Sequence, residues 1–129
     1  MSATILIADD NDDNRELLQV LLAGAGYLVR EARDGHECVA LAQSELPDLI
    51  VVDLSMPLLD GWAVFKELKA DERTSTIPCM AVTAHAELER NEALEAGFSA
   101  YVSKPFKNEV LLKTIAGVLA TRESNSHYH

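Results

Sequence analysis

The sequence is poor in cysteine and in basic residues, and it has no long apolar run. Each shortage excludes something. The two cysteines, Cys38 and Cys79, stand far apart. They fit neither a disulfide framework nor a Cys-x-x-Cys pair, so reduced thiols in a cytoplasmic protein are the expectation. The longest apolar runs, such as Leu49 to Val52, are strand-length and fall well short of the roughly 20 residues that span a membrane. Met1-Ser2-Ala3-Thr4 carries no basic region followed by an apolar stretch, so no secretory signal is visible there. Eleven lysines and arginines stand against 21 acids, for a net charge of −10. A surface this acidic repels a phosphate backbone, which disfavours direct nucleic-acid binding.

Several site motifs are missing as well. There is no glycine-rich phosphate loop and no Gly-x-Ser-x-Gly elbow, which leaves nucleotide binding and triad hydrolysis without support. The histidines make no zinc spacing: His36 and His85 stand alone, and His127 and His129 lie near the end. The acidic run Asp9-Asp10-Asn11-Asp12-Asp13-Asn14 is no calcium loop. Read from Asp9, Asn14 falls where the turn glycine belongs and Val20 where the bidentate glutamate belongs; read from Asp10, those places hold Arg15 and Leu21.

What is present is a regular alternation. With 129 residues, 48% of them hydrophobic, the chain has the size and apolar content of one domain. Short apolar runs predict strands at Ile5–Ala8, Tyr27–Glu31, Leu49–Asp53, Met80–Thr83 and Ala100–Ser103. Helical spacing predicts helices at Arg15–Ala25, Gly35–Gln43, about Asp60–Lys69, Glu87–Ala96 and Asn108–Ala120. Leu17, Leu18, Leu21 and Leu22 are the apolar positions of the first helix, and the fourth offers only Leu88, Ala93 and Leu94. A core of about residues 4–120 is followed by a polar segment, 122–129, expected to be loose. Near-continuous apolar strands alternating with helices mean a parallel sheet covered on both faces, most simply a doubly wound α/β domain in the order 2-1-3-4-5 with five helices.

In an open parallel sheet, ligands bind beyond the carboxyl ends of the strands, where the order reverses. The first strand ends in Asp9-Asp10, the third in Asp53, the fourth in Thr83 and the fifth in Ser103-Lys104. Three carboxylates, a hydroxyl and an ammonium thus share one rim. Taken alone, an aspartate at a strand end is often a cap for the next helix. Together they repel: two carboxylates about 4 Å apart oppose each other by roughly 4 kcal/mol at an effective dielectric near 20. A hard divalent cation such as Mg²⁺ suits such oxygens, and Lys104 supplies a second positive charge.

These residues resemble a known family. Ile-Leu-Ile-Ala-Asp9-Asp10, Val-Val-Asp53-Leu-Ser-Met-Pro57, Ala-Val-Thr83-Ala and Ser-Lys104-Pro105-Phe, in this order, are similar to the receiver domains of bacterial two-component response regulators. The likeness is to the single-domain, chemotaxis-regulator-like kind, and it covers about Thr4 to Ala120. It implies a flavodoxin-like fold and a cytoplasmic signalling switch in place of an enzyme. It also implies that Asp53 accepts a phosphoryl group from a histidine kinase or histidine phosphotransfer protein. Asp10, Asp53 and the backbone carbonyl of Ser55 would hold Mg²⁺, with Asp9 acting through water. Thr83 and Lys104 would meet the phosphoryl oxygens, the Lys104–Pro105 peptide bond would be cis, and Ser55 and His85 would influence how long the phosphate survives. No other cationic side chain is evidently placed to assist Lys104. Thr83 and Tyr101 would carry the switch to a downstream protein, through the face made by helix four, strand five and helix five. Choice of kinase is expected on helix one and the loop after strand five.

Two other readings remain at this point. The start at Met1, close before the first strand, favours a stand-alone regulator over a receiver cut from a larger response regulator or hybrid kinase. Phosphatases of the haloacid dehalogenase type also use a strand-end aspartate with Mg²⁺, but they need a second acid two residues later, where this chain has Ser55.

Overall fold

The computed structural model describes residues 2–56, 58–84 and 88–126. Five strands, β1 (Thr4–Ala8), β2 (Leu28–Ala32), β3 (Leu49–Asp53), β4 (Cys79–Thr83) and β5 (Ala100–Ser103), alternate with five helices. The helices are α1 (Asp12–Gly24), α2 (Gly35–Glu45), α3 (Gly61–Ala70), α4 (Leu88–Ala96) and α5 (Asn108–Ser126). The strands form one parallel sheet in the order β2-β1-β3-β4-β5, the order the sequence predicts. In β3 and β4 every residue is buried, as strands covered on both faces must be, whereas the edge strand β2 is largely exposed.

Alternation along the strands sorts the core into two layers. Leu6, Ala8, Ile50, Val52, Cys79 and Ala81 face one way, packing with Cys38, Val64, Phe65 and Leu68 from α2 and α3. Ile5, Ile7, Leu49, Val51, Met80 and Val82 face the other way, against Leu18 and Leu22 of α1 and Leu111 and Ile115 of α5. Phe98 stacks on Phe65 at 4.1 Å between ring centroids and meets Trp62 edge-on at 5.7 Å. Cys38 and Cys79 are free and buried in the first layer, and burial pushes their thiols up to about 12 and about 11, so both stay protonated and unreactive at neutral pH.

Three helices open on an acid or amide cap. The side chains of Asn11, Asp34 and Asp60 each accept from a backbone N–H at 2.9 Å, those of Asn14, Glu37 and Ala63 respectively. The Asn11 cap places the start of α1 at Asp12, ahead of the expected Arg15, because Asp12 and Asp13 complement the positive helix N-terminus and need no burial. Two leucines expected inside are outside: Leu17 is 70% exposed and Leu94 42%. Neighbours along a helix point about 100° apart, so only Leu18 of the pair Leu17–Leu18 can face the sheet. At the other end, α5 continues to Ser126, past the expected stop at Ala120 and through the first part of the segment expected to be loose. No glycine or proline interrupts it there, and Arg122 donates to the backbone oxygen of Asp48 at 2.7 Å, tying the helix to the turn before β3.

Candidate functional site at the carboxyl ends of the strands

The order reversal between β1 and β3 brings Asp9, Asp10 and Asp53 together, with a carboxylate oxygen of each lying within 4.8 Å of the others. Asp9 and Asp53 are buried, and Asp10 is exposed. None of the three caps a helix, since Asn11 does that work for α1. Instead, Oδ1 of Asp9 accepts from the N–H of Asn11 at 2.9 Å, and Oδ1 of Asp53 accepts from the N–H of Ser55 at 2.8 Å. Each buried carboxylate is thereby fixed by its own loop, with its second oxygen turned to the centre. Both second oxygens meet one cation: Lys104 Nζ donates to Oδ2 of Asp9 and to Oδ2 of Asp53, each at 3.0 Å.

Burial alone pulls the Lys104 ammonium down, but the hydrogen bonds and charges of Asp9 and Asp53 outweigh it and leave its pKa above the usual 10.5. The lysine is held by its backbone as well, its N–H donating to the carbonyl of Thr83 at 2.8 Å, and the Lys104–Pro105 peptide bond is cis, as the resemblance implies. The Thr83 side chain is fully buried, and its hydroxyl stands 3.4 Å from that of Ser55. Tyr101 is half-buried one strand away, opposite Ala81 in the register, and packs against the first core layer. His85 lies outside the described residues.

Gly61 explains how β3 can pass its aspartate so directly to the next helix. A Cβ there would lie 2.7 Å from the backbone oxygen of Asp53, and the Gly61 N–H reaches back to the carbonyl of Leu54 at 3.4 Å. Any larger residue would push α3 away from the end of the strand.

One cation escaped the sequence reading. Arg15, expected only as the first residue of a helix, is 6% exposed, and its guanidinium donates to the backbone oxygen of Asp9 at 2.7 Å. The same group pairs with Asp12 and, at 3.7 Å, with Glu31. Arg15 thus acts on the site through the main chain that carries the acid pair, its own charge being met by Asp12 and Glu31. An arginine inside an acidic run just ahead of an apolar stripe was the available signal.

One ammonium against three carboxylates leaves the cluster short of positive charge. The donors are all hard oxygens, two of them immobilised and one exposed, which fits Mg²⁺, an ion that takes one or two carboxylates and keeps several waters. A buried hydroxyl, a fixed lysine and a strand-end acid cluster at the switch point of a 2-1-3-4-5 sheet define a class, that of Mg²⁺-compatible acid sites on a doubly wound scaffold.

Comparison with known proteins narrows the class. The model of the response regulator receiver domain matches residues 5–116. The protein PilH of Pseudomonas aeruginosa is 39% identical over 119 residues, covering 92% of this chain and 98% of that one. The DNA-binding dual master transcriptional regulator RpaA of Synechocystis is 38% identical over 116 residues, 89% of this chain, but this chain spans only 48% of its length. Among solved structures, the chemotaxis response regulator CheY4 of Vibrio cholerae superposes with a TM-score of 0.85 at 31% identity, covering 92% of this chain and 99% of that one. The chain belongs to the response regulator receiver domain family of two-component systems, modules of phosphorylation-dependent signalling. No helix among the described residues is long and apolar enough to cross a membrane.

Proposed function

We propose that this chain is a switch set by phosphorylation of Asp53 from a histidine kinase or histidine phosphotransfer protein and read by a downstream protein. The observation that carries the reading is the pair of 3.0 Å contacts from Lys104 to Asp9 and Asp53, inside a cluster that still lacks positive charge. The Asp53 carboxylate forms the new O–P bond while the P–N bond to the donor imidazole breaks, and the released imidazole takes up a proton from solvent. An anion attacking an anion needs its repulsion cancelled. Lys104, already on Asp53, shifts to a phosphoryl oxygen, and the Thr83 hydroxyl donates to another. Asp9, Asp10 and Asp53, with the backbone carbonyl of Ser55, would hold Mg²⁺, which supplies positive charge to the transferring group when bound. Arg15 keeps the Asp9 backbone in place while that happens. The Ser55 side chain, beside Thr83, is placed to affect hydrolysis of the product.

The donor docks on α1 and on the segment after β5. Leu17 and Val20 are exposed there, and Leu17 shares a cavity wall with Phe106, Asp9 and Lys104. The output face is α4–β5–α5. Thr83 moving toward the phosphoryl group vacates space that Tyr101, on the adjacent strand, turns to fill, and α4 follows, since Ala93 is the one buried residue among its described side chains. Where the chain is one part of a longer regulator, an attached output domain takes the place of the separate target. The 48% span of RpaA favours keeping that second reading.

Incubation with acetyl phosphate and Mg²⁺ tests the core of this. The wild type is expected to gain one acid-stable, base-labile phosphate, and Asp53→Asn none. Label on Asp53→Asn at the wild-type rate would refute the assignment, and continuous release of free phosphate would point to a phosphatase.

A further inference from the structure

Leu58 carries two unfavourable features at once. Its φ is 65°, in the left-handed region that favours glycine or asparagine, and its side chain is 92% exposed. The other leucine with positive φ, Leu46, has an evident reason, since it ends α2 with its N–H on the carbonyl of Ala42. At Leu58 the backbone conformation also has a reason. It lets the chain bury Met56, pack Leu59 and then present Asp60 as the cap of α3. What the fold does not require is a leucine in that conformation with its side chain in water; glycine or asparagine would do the backbone's work with less strain. A single exposed leucine is ordinary, but an exposed leucine at a strained position points to function.

Its location says which function. The contact of Gly61 with Leu54 and with the Asp53 backbone returns the chain to the end of β3, so Leu58 lies on a short loop that leaves the acceptor and comes back to it. Across the acid cluster, Leu17 and Phe106 present apolar surface on the other flank. The exposed charged groups on the loops after β1 and β3 are acids, Asp10, Asp12 and Asp60 among them, while Lys107 follows Phe106 on the other flank. A protein delivering a phosphoryl group to Asp53 must cover this rim. The output face, by contrast, lies at the β4–β5 edge of the sheet.

We infer that Leu58 is an apolar anchor for the phosphodonor protein, whose contact face is apolar at its centre and basic at its border. This rests on the receiver reading of Asp53. It predicts a separation between donors. Acetyl phosphate is small and needs no docking surface, whereas a protein donor loses a contact when Leu58 is cut back.

The experiment compares wild type, Leu58→Gly, Leu58→Asn and Leu58→Met. Each is phosphorylated by acetyl phosphate with Mg²⁺ and by whichever of a panel of phosphorylated histidine kinases and phosphotransfer proteins labels the wild type fastest. Transfer from the protein to the Gly and Asn variants is expected to fall about tenfold, the loss of roughly half a leucine's burial. Their acetyl phosphate rates stay at the wild-type level, their melting temperatures stay equal or rise, and Met restores protein transfer. Protein transfer to Gly and Asn within twofold of wild type would overturn the inference. So would a parallel fall in acetyl phosphate labelling and melting temperature, which would make Leu58 a prop for the loop. Wild type that takes no phosphate from acetyl phosphate would overturn the receiver reading beneath it.

Discussion

The helices on the two sides of the acid cluster are held very differently. On one side, α1 buries Leu18 and Leu22 against the sheet, is capped by Asn11, and is stitched to the Asp9 backbone by the buried guanidinium of Arg15. On the other side, α4 buries Ala93 alone among its described side chains, with Arg90, Asn91, Glu92, Leu94, Glu95 and Ala96 all exposed. Fully burying a leucine side chain contributes about 1.5–3 kcal/mol, and an alanine methyl far less. Among the described side chains, then, two leucines and an arginine anchor one flank and a single alanine the other, the contrast on which the proposed switch rests. A switch needs both: a pocket that does not yield, and a neighbour whose two states differ by only a few kcal/mol.

Paired truncations should break or sharpen this contrast. Leu22→Ala is expected to cost about 2–5 kcal/mol in urea unfolding, since it opens a cavity in a closed layer. Leu94→Ala, on α4, should cost about 1 kcal/mol or less. Equal losses would mean that α4 is as firmly docked as α1 and would remove the basis for its mobility.

The smallest effect concerns charge. Asp10→Ala should raise the melting temperature without Mg²⁺, because it relieves repulsion within the cluster while Asn11 still caps α1. The same variant should lose Mg²⁺-dependent labelling. A lower melting temperature would make Asp10 a structural residue and put the charge deficit in doubt.

Much of this could be read before any coordinates. Runs such as Leu49–Val52 mark central strands, and a parallel sheet then sends their terminal acids to one rim, so Asp9, Asp10, Asp53, Thr83 and Lys104 come together by topology alone. What could not be read depends on contacts between distant residues or on direction around a helix. Leu17 and Leu18 are the same residue type side by side, yet one faces the sheet and the other solvent. The burial of Arg15 rests on a backbone oxygen, at which an arginine beside an acidic run only hints. The length of α5 rests in part on a bond from Arg122 to Asp48, 74 positions away. The left-handed backbone of Leu58 runs against the residue's own preference and so is invisible to propensity.

The claim at the centre of the account is that phosphate at Asp53 is felt along the weakly held edge. Beryllofluoride with Mg²⁺ stands in for the phosphoryl group, and backbone amide shifts report where the chain responds. The account predicts changes that run from the pocket through residues 88–102, with those beyond the pocket abolished in Thr83→Ala and those on α1 beyond its first turn small. Changes confined to the pocket, with α4 and β5 silent, would contradict it.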